Sequence, residues 1–361
     1  MTHLSQTLPK IMRAAVYRGK QRVEIEEIPV PEIGAGELLI RVEACGVCHT
    51  DLKKIEYGLI EPPRVFGHET AGVVAAVGEG VTRYAVGDAV IAFHHIPCKK
   101  CFYCARKLYA QCSVYQTVGI TAGFEAAGGG FAQYVRVMPW IAEHGVEKIP
   151  AGVSFEQASF VEPVNTCLKA VEQSKVRYGD LAVVLGQGPI GLIFTMLLKS
   201  REIETITTDL MQARRAQSMR FGAVATLHPL ADDLAAATGA RTEGRGADVV
   251  FVAASAPGIV EQAIQASRPG ARIILFAQTS DKERIELSGA DICKEERVIM
   301  GAYSADVDLQ SESARLVFSG EIPVGELVTH RFPLTRILEG VELATHPDEN
   351  SIKIVIMPQQ L

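Results

Sequence analysis

Long apolar runs are missing from this chain. No stretch approaches the roughly 18 uninterrupted apolar residues that a spanning helix needs, so no membrane partner is expected. The opening MTHLSQTLPKIMRAAVYRGK lacks the apolar core of a secretory leader, and a cytoplasmic location is expected. Aromatic residues make up only 6% of the chain, with a single tryptophan. No long run of either charge sign occurs and the net charge is −6, which argues against nucleic acid or an anionic membrane as a partner. What is present is an ordinary globular composition, 48% hydrophobic and 22% charged over 361 residues, enough for two domains with their own cores. Without a leader, the eight cysteines read as metal ligands and reduced thiols.

Up to about residue 150, short alternating segments such as RVEIEEI, ELLIRVEA and ETAGVVAAVG are separated by Pro- and Gly-rich breaks. That texture predicts a β-rich, barrel-like domain. Ser154 followed by Gln157 resembles a capping box and predicts a helix start. Pro163 is expected to break that helix, with a second one from Val164 to Gln173. Strand and helix patterns then alternate, from DLAVVLGQGPIGLIFTMLLKS to ARIILFAQ, which predicts a doubly wound parallel sheet. Beyond about Val298 the alternation stops, and the tail containing SIKIVI is expected to return to the first domain. The expected boundaries are 1–158, 159–298 and 299–361, with a cysteine lobe at 95–115.

The lobe carries Cys98, Cys101, Cys104 and Cys112, spaced C-x2-C-x2-C-x7-C. Four thiolates at such spacing close a tetrahedron around one zinc ion and leave no open position, so the ion would be structural. Farther on, Gly186-Gln187-Gly188-Pro189-Ile190-Gly191 is a G-x-G-x-x-G between a predicted strand and a predicted helix. Asp209 follows 23 residues after the first glycine, at the end of the next predicted strand. In that context the glycines bring the backbone close to a pyrophosphate at the helix N-terminus, and Asp209 accepts the adenosine ribose hydroxyls. The carboxylate favours NAD, while Arg214 and Arg215 keep NADP open.

A second, incomplete metal set precedes the lobe. GVCHTD supplies Cys48, His49, Thr50 and Asp51, and GHE supplies His68 and Glu69. Cys48 and His68 are candidate ligands of a catalytic zinc, with a third to come from elsewhere. Cys45 is read as a core thiol.

GVCHTD, GHE, the four-cysteine lobe and GQGPIG occur in the order found in zinc-dependent medium-chain alcohol and polyol dehydrogenases, and the resemblance spans essentially the whole chain. It implies a GroES-like catalytic domain made from both chain ends, a Rossmann domain between them, an active site in the cleft, and a homodimer or homotetramer joined through the Rossmann domains. By that resemblance Asp51 orients His68, Thr50 takes the alcohol's proton, and Glu69 is either an alternative ligand or a supporting group. The third-ligand position falls at Glu162 in SFVEPVNTC, as in sorbitol and threonine dehydrogenases; Cys167 fits poorly. Where primary-alcohol members end their proton relay in histidine, this chain has Lys53, so the relay ends in water or in a perturbed lysine. Phe276 falls near the nicotinamide pocket, His95 at the substrate cleft, and Lys353 at the coenzyme phosphates. The implied function is hydride transfer from a secondary alcohol (a polyol, cyclitol or amino alcohol such as threonine) to NAD, with two zinc ions per chain. The rival readings are a primary-alcohol or aldehyde dehydrogenase and a non-catalytic NAD-binding structural or sensor protein.

Overall fold

The computed structural model describes residues 8–125, 127–277 and 284–360. It comprises two compact units. Unit 1 takes in Met1–Glu162, Gln310–Ser319 and Val324–Leu361, and unit 2 takes in Pro163–Leu309 and Gly320–Pro323.

Unit 1 is built mainly from strands. β1 (Ile11–Gly19), β2 (Arg22–Pro29) and β4 (Arg64–Val65) form a small antiparallel sheet. A larger sheet runs β16 (Val328–Pro333), β17 (Lys353–Met357), β3 (Leu38–Gly46), β5 (Glu69–Val77), β6 (Ala89–Ala92) and β9 (Val146–Lys148), with β7 (Ile120–Thr121) and β8 (Tyr134–Val137) joined through β3. The β3–β5 register slips twice, between Leu39 and Ile40 and between Val42 and Ala44. Such bulges bend a strand and raise its twist, so the sheet curls. The helices of this unit are α1 (His49–Tyr57), α2 (Pro139–His144), α3 (Phe155–Ala158), the start of α4 (Val161–Ser174), α10 (Gln310–Phe318) and α11 (Ile337–Thr345).

Unit 2 is a six-stranded sheet in the order β12 (Ala225–Leu227), β11 (Glu204–Thr208), β10 (Leu181–Leu185), β13 (Ala247–Val252), β14 (Ser267–Leu275) and β15 (Val298–Gly301). Every pairing is parallel. The order is that of a dinucleotide-binding doubly wound sheet. β10 is buried along its whole length, as a central parallel strand covered on both faces requires. Its connecting helices include α5 (Pro189–Ser200), α6 (Gln212–Arg220), α7 (Leu234–Arg241), α8 (Ile259–Ala266) and α9 (Gly289–Cys293).

Two expectations are corrected. Pro163 breaks no helix: it sits in the first turn of α4, where its missing N–H has no intrahelical partner to lose. The Ser154 cap is present, its Oγ accepting the Gln157 N–H at 3.1 Å, but the helix it starts is one turn long. The return to unit 1 begins at Gln310 rather than at 299, because β15 pairs in parallel with β14, Arg272 opposite Val298, and completes the sheet of unit 2.

Candidate metal centres and dinucleotide turn

The four lobe cysteines converge without bonding to one another. Sγ–Sγ distances are 3.9 Å for Cys98–Cys104, 3.5 Å for Cys101–Cys104 and 3.6 Å for Cys112–Cys98, far beyond a disulfide bond. All four sulfurs lie within 4.8 Å of one another. Thiolates around one tetrahedral zinc stand about 3.8 Å apart, so the donor set fits the ion. Burial raises the Cys112 thiol, but backbone N–H groups of Cys98, Tyr115 and Val114 outweigh it and bring the pKa down to about 6. Burial together with the neighbouring thiols pushes Cys104 up to about 12. The same lobe thus draws Cys112 toward thiolate and Cys104 away from it, and a bound cation would displace the thiol protons.

The second centre lies where β3, α1 and β5 meet. Cys48 caps α1 in extended geometry and Asp51 occupies the first helical turn. His68 follows Gly67, whose φ of +92° belongs to the left-handed region; a Cβ there would stand 2.8 Å from both Cys45 Sγ and the Phe131 ring. Asp51 is fully buried, and its Oδ1 lies 3.2 Å from His68 Nδ1, leaving Nε2 as the histidine's metal-binding atom. Burial opposes a charged His68, but Asp51 and Cys48 hold its pKa well above the ordinary value. A metal ion would take the place of that proton.

Ligand atoms here form two groups, each within 4.8 Å: Cys48, His68 and Glu69 in one, and His68, His94 and Glu162 in the other. Cys48 and Glu162 therefore both meet His68 but do not close on a single point. Glu162, in the first turn of α4, is pushed up to about 7 by burial, with His68 and Lys353 opposing and Glu69 and Asp51 adding to the rise. Glu69 is 1% exposed and paired with Lys353, whose Nζ lies 2.7 Å from Oε1 and 2.5 Å from Oε2. Lys353 also donates to the Val47 carbonyl at 3.0 Å. A Cβ on Gly46 would overlap the Glu69 carboxylate, so glycine leaves room for the pair.

In unit 2, the glycine turn leaves β10 with Gly186 at φ +93°. A Cβ on Gly191 would overlap the Gly186 carbonyl, which makes the third glycine a requirement of turn-to-helix packing. Gly188 caps α5 and Pro189 opens it. A Cβ at Gly188 would meet nothing within 4 Å except the Arg214 guanidinium at 3.8 Å, so the helix N-terminus has room for a phosphate group with a cation beside it. Ile190 is half-buried in the first turn of α5. Asp209 follows β11; its Oδ2 accepts the Gln187 N–H at 2.7 Å and its Oδ1 the Met211 N–H at 2.8 Å. Each oxygen keeps acceptor capacity for a hydroxyl. Arg215 is turned away onto the Asp209 and Leu210 carbonyls, at 2.7 and 2.9 Å.

The alcohol dehydrogenase GroES-like domain matches residues 34–151, and the zinc-binding dehydrogenase domain matches residues 189–318. L-Threonine 3-dehydrogenase of Pyrococcus abyssi is 31% identical over 91% of this chain and 92% of its own. The chain belongs to the zinc-dependent medium-chain alcohol and polyol dehydrogenase family. Sorbitol dehydrogenase of Bacillus subtilis is 29% identical, with both chains covered completely. Among solved structures, 2R,3R-butanediol dehydrogenase from Bacillus subtilis superposes with a TM-score of 0.83 at 29% identity, over 96% of this chain and 100% of the other. A zinc-binding dehydrogenase from Sinorhizobium meliloti bound to NADP gives 0.87 at 26% identity, over 97% and 100%.

Within this family fold the remaining expected residues fall as follows. Thr50 is exposed and Lys53 half-buried, three residues apart on one face of α1. His95 stacks on Tyr115 with centroids 5.2 Å apart, and burial first, then His68, brings its pKa down to about 4. Phe276 follows β14 and packs edge-on against Phe194 of α5 at 5.1 Å. Cys45 is fully buried beside Thr70. Lys353 has its ammonium buried in unit 1 against Glu69. Sequence reasoning missed that pair, whose partners lie 284 residues apart. It also passed over His94 as a ligand. Its only signal was the His94-His95 doublet before the lobe.

Proposed function

We propose that the chain oxidises secondary alcohols of the polyol, cyclitol or amino-alcohol class with NAD, holding one catalytic and one structural zinc ion. The observation that carries the reading is the open donor set around His68, with carboxylates Glu69 and Glu162 in place of a second thiolate. When bound, the catalytic zinc would polarise the substrate oxygen as a Lewis acid and the nicotinamide would accept the hydride. His68 would hold the zinc, with Cys48 and Glu69 on one side of it and Glu162 on the other. Asp51 fixes the His68 ring, and Lys353 pairs with Glu69 behind the site. Thr50 receives the alcohol's proton and passes it along the α1 face bearing Lys53 toward solvent. Gly186, Gly188 and Gly191 admit the pyrophosphate, Asp209 the ribose hydroxyls, and Arg214 supplies the counter-charge. Asp209 favours NAD because its carboxylate repels a 2′-phosphate. The exposed edge strand β15 is the seam for a homodimer or homotetramer, since it offers unpaired N–H and C=O groups.

The test is NADH formation across paired secondary and primary alcohols, alongside elemental analysis. Turnover confined to secondary alcohols, with two zinc ions per chain, supports the reading. Preference for primary alcohols, or no turnover with intact metal, overturns it.

A further inference from the structure

The two groups of ligand atoms share one histidine. His68 has a single nitrogen to give, because its Nδ1 faces Asp51. An ion therefore rests either with Cys48 and Glu69 or with His94 and Glu162, never in both places at once.

The second group has the marks of a built site. His94 Nδ1 stands 4.0 Å from Glu162 Oε1, and the two side chains are 14% and 12% exposed. That nitrogen is buried and has no hydrogen-bond partner among the described residues. An unpartnered buried polar atom costs about 1–3 kcal/mol, so a group bridging the gap is favoured. Two donors on a tetrahedral ion stand roughly 3.3 Å apart, so closure needs only a few tenths of an ångström from each side chain. The His68 and His94 rings lie 4.7 Å apart, His95 packs against His94 at 4.0 Å, and Tyr115 stacks on His95. These ring contacts on His94 restrict its freedom to turn.

The two positions differ in chemistry. The first includes a soft thiolate. The second offers two imidazoles and a carboxylate, a nitrogen–oxygen shell that suits harder divalent ions such as cobalt(II), iron(II) or manganese(II). We propose that His94, with His68 and Glu162, forms a second resting position for a divalent transition-metal ion, exclusive of the position at Cys48. Passage between them exchanges the Cys48 sulfur for a His94 nitrogen while His68 stays bound; no electrons are transferred. This rests on the reading of Cys48 and His68 as zinc ligands.

The experiment uses full-length protein with zinc retained in the four-cysteine lobe and the open site stripped by chelator, titrated with cobalt(II) alone. Equivalents bound and the sulfur-to-cobalt charge-transfer band are read, and retained lobe zinc reports that each variant is folded. Wild type should take one cobalt with a thiolate band. Cys48→Ala should still take one cobalt, more weakly and without the band. Adding His94→Gln to Cys48→Ala should weaken binding further, by more than the ~10–100-fold that losing even an outer partner costs. A Cys48→Ala protein that keeps its lobe zinc but takes no cobalt overturns the proposal and leaves the Cys48–His68 reading standing, as does equal binding with and without His94. A wild type without the thiolate band overturns both.

Discussion

Replacing Lys353 by methionine isolates the buried pair behind the metal centre. Lys353 is 4% and Glu69 1% exposed, with the ammonium 2.5 and 2.7 Å from the two carboxylate oxygens. Methionine keeps most of the volume and removes the charge, so the buried Glu69 loses its partner. Removing one partner of such a pair costs about 3–5 kcal/mol, because the other charge stays desolvated. Unit 1 has about two hundred residues, for which each kcal/mol lowers Tm by about 2–4 °C, so the drop should be roughly 6–20 °C. Lys353→Met with Glu69→Leu removes both charges, and most of the loss should return. The pH dependence has a definite sign. Burial lowers the Lys353 pKa, but Glu69 and Cys48 outweigh it and hold it above its ordinary value. The pair's contribution is therefore complete below the lysine's unfolded pKa and is lost as pH rises through the folded one. Melting curves of wild type and double variant should converge in strong alkali. If Lys353→Met melted like wild type while its KM for NAD rose, the lysine would serve the coenzyme and this reasoning would fail.

Elemental analysis should find two zinc ions per chain, with chelator removing one before the other and abolishing activity with the first; one zinc in fully active protein would contradict the two-centre reading. Glu162→Ala should lower turnover while NAD binding, followed by nicotinamide fluorescence, stays near wild type. Cys167→Ala, at a fully buried site whose sulfur lies 4.0 Å from the Ile190 carbonyl, should cost only about 1 kcal/mol of stability, and loss of the chelator-sensitive zinc from it would move the ligand role there. Asp209→Gly should erode the preference for NAD over NADP by roughly 10- to 100-fold in the ratio of kcat/KM; a parent that prefers NADP would show that Arg214 outweighs the carboxylate.

Features set by local spacing were legible in the sequence. The lobe cysteines are close in the chain, and their short gaps alone bring them together. The glycine turn was legible because its constraints, a left-handed φ at Gly186 and contact between Gly191 and the Gly186 carbonyl, act within a few residues. His94 was not, because a histidine after a short strand looks the same whether it faces solvent or Glu162, and Glu162 arrives through a helix far along the chain. The Lys353–Glu69 pair was hidden for the same reason. The register that opposes β17 to β3, Val355 to Gly46, is a tertiary fact. Pro163 was misread because a proline that ends one helix and a proline in the first turn of the next have the same local sequence.

The place of β17 in the chain has a consequence for how the protein is made. This strand follows all of unit 2, yet it pairs with β3 and carries the only lysine paired with Glu69 among the described residues. At about 5–20 residues per second, Lys353 leaves the ribosome roughly 15–60 s after Glu69. Until then the β3 edge that β17 will cover stays open and the Glu69 carboxylate is uncompensated. Unit 2 can collapse on its own strands in that interval, whereas unit 1 must wait. Nascent chains arrested before β17 should accordingly resist protease across unit 2 but remain cleavable around β3 and β5, and protection of both at that length would show that unit 1 closes without its last strand.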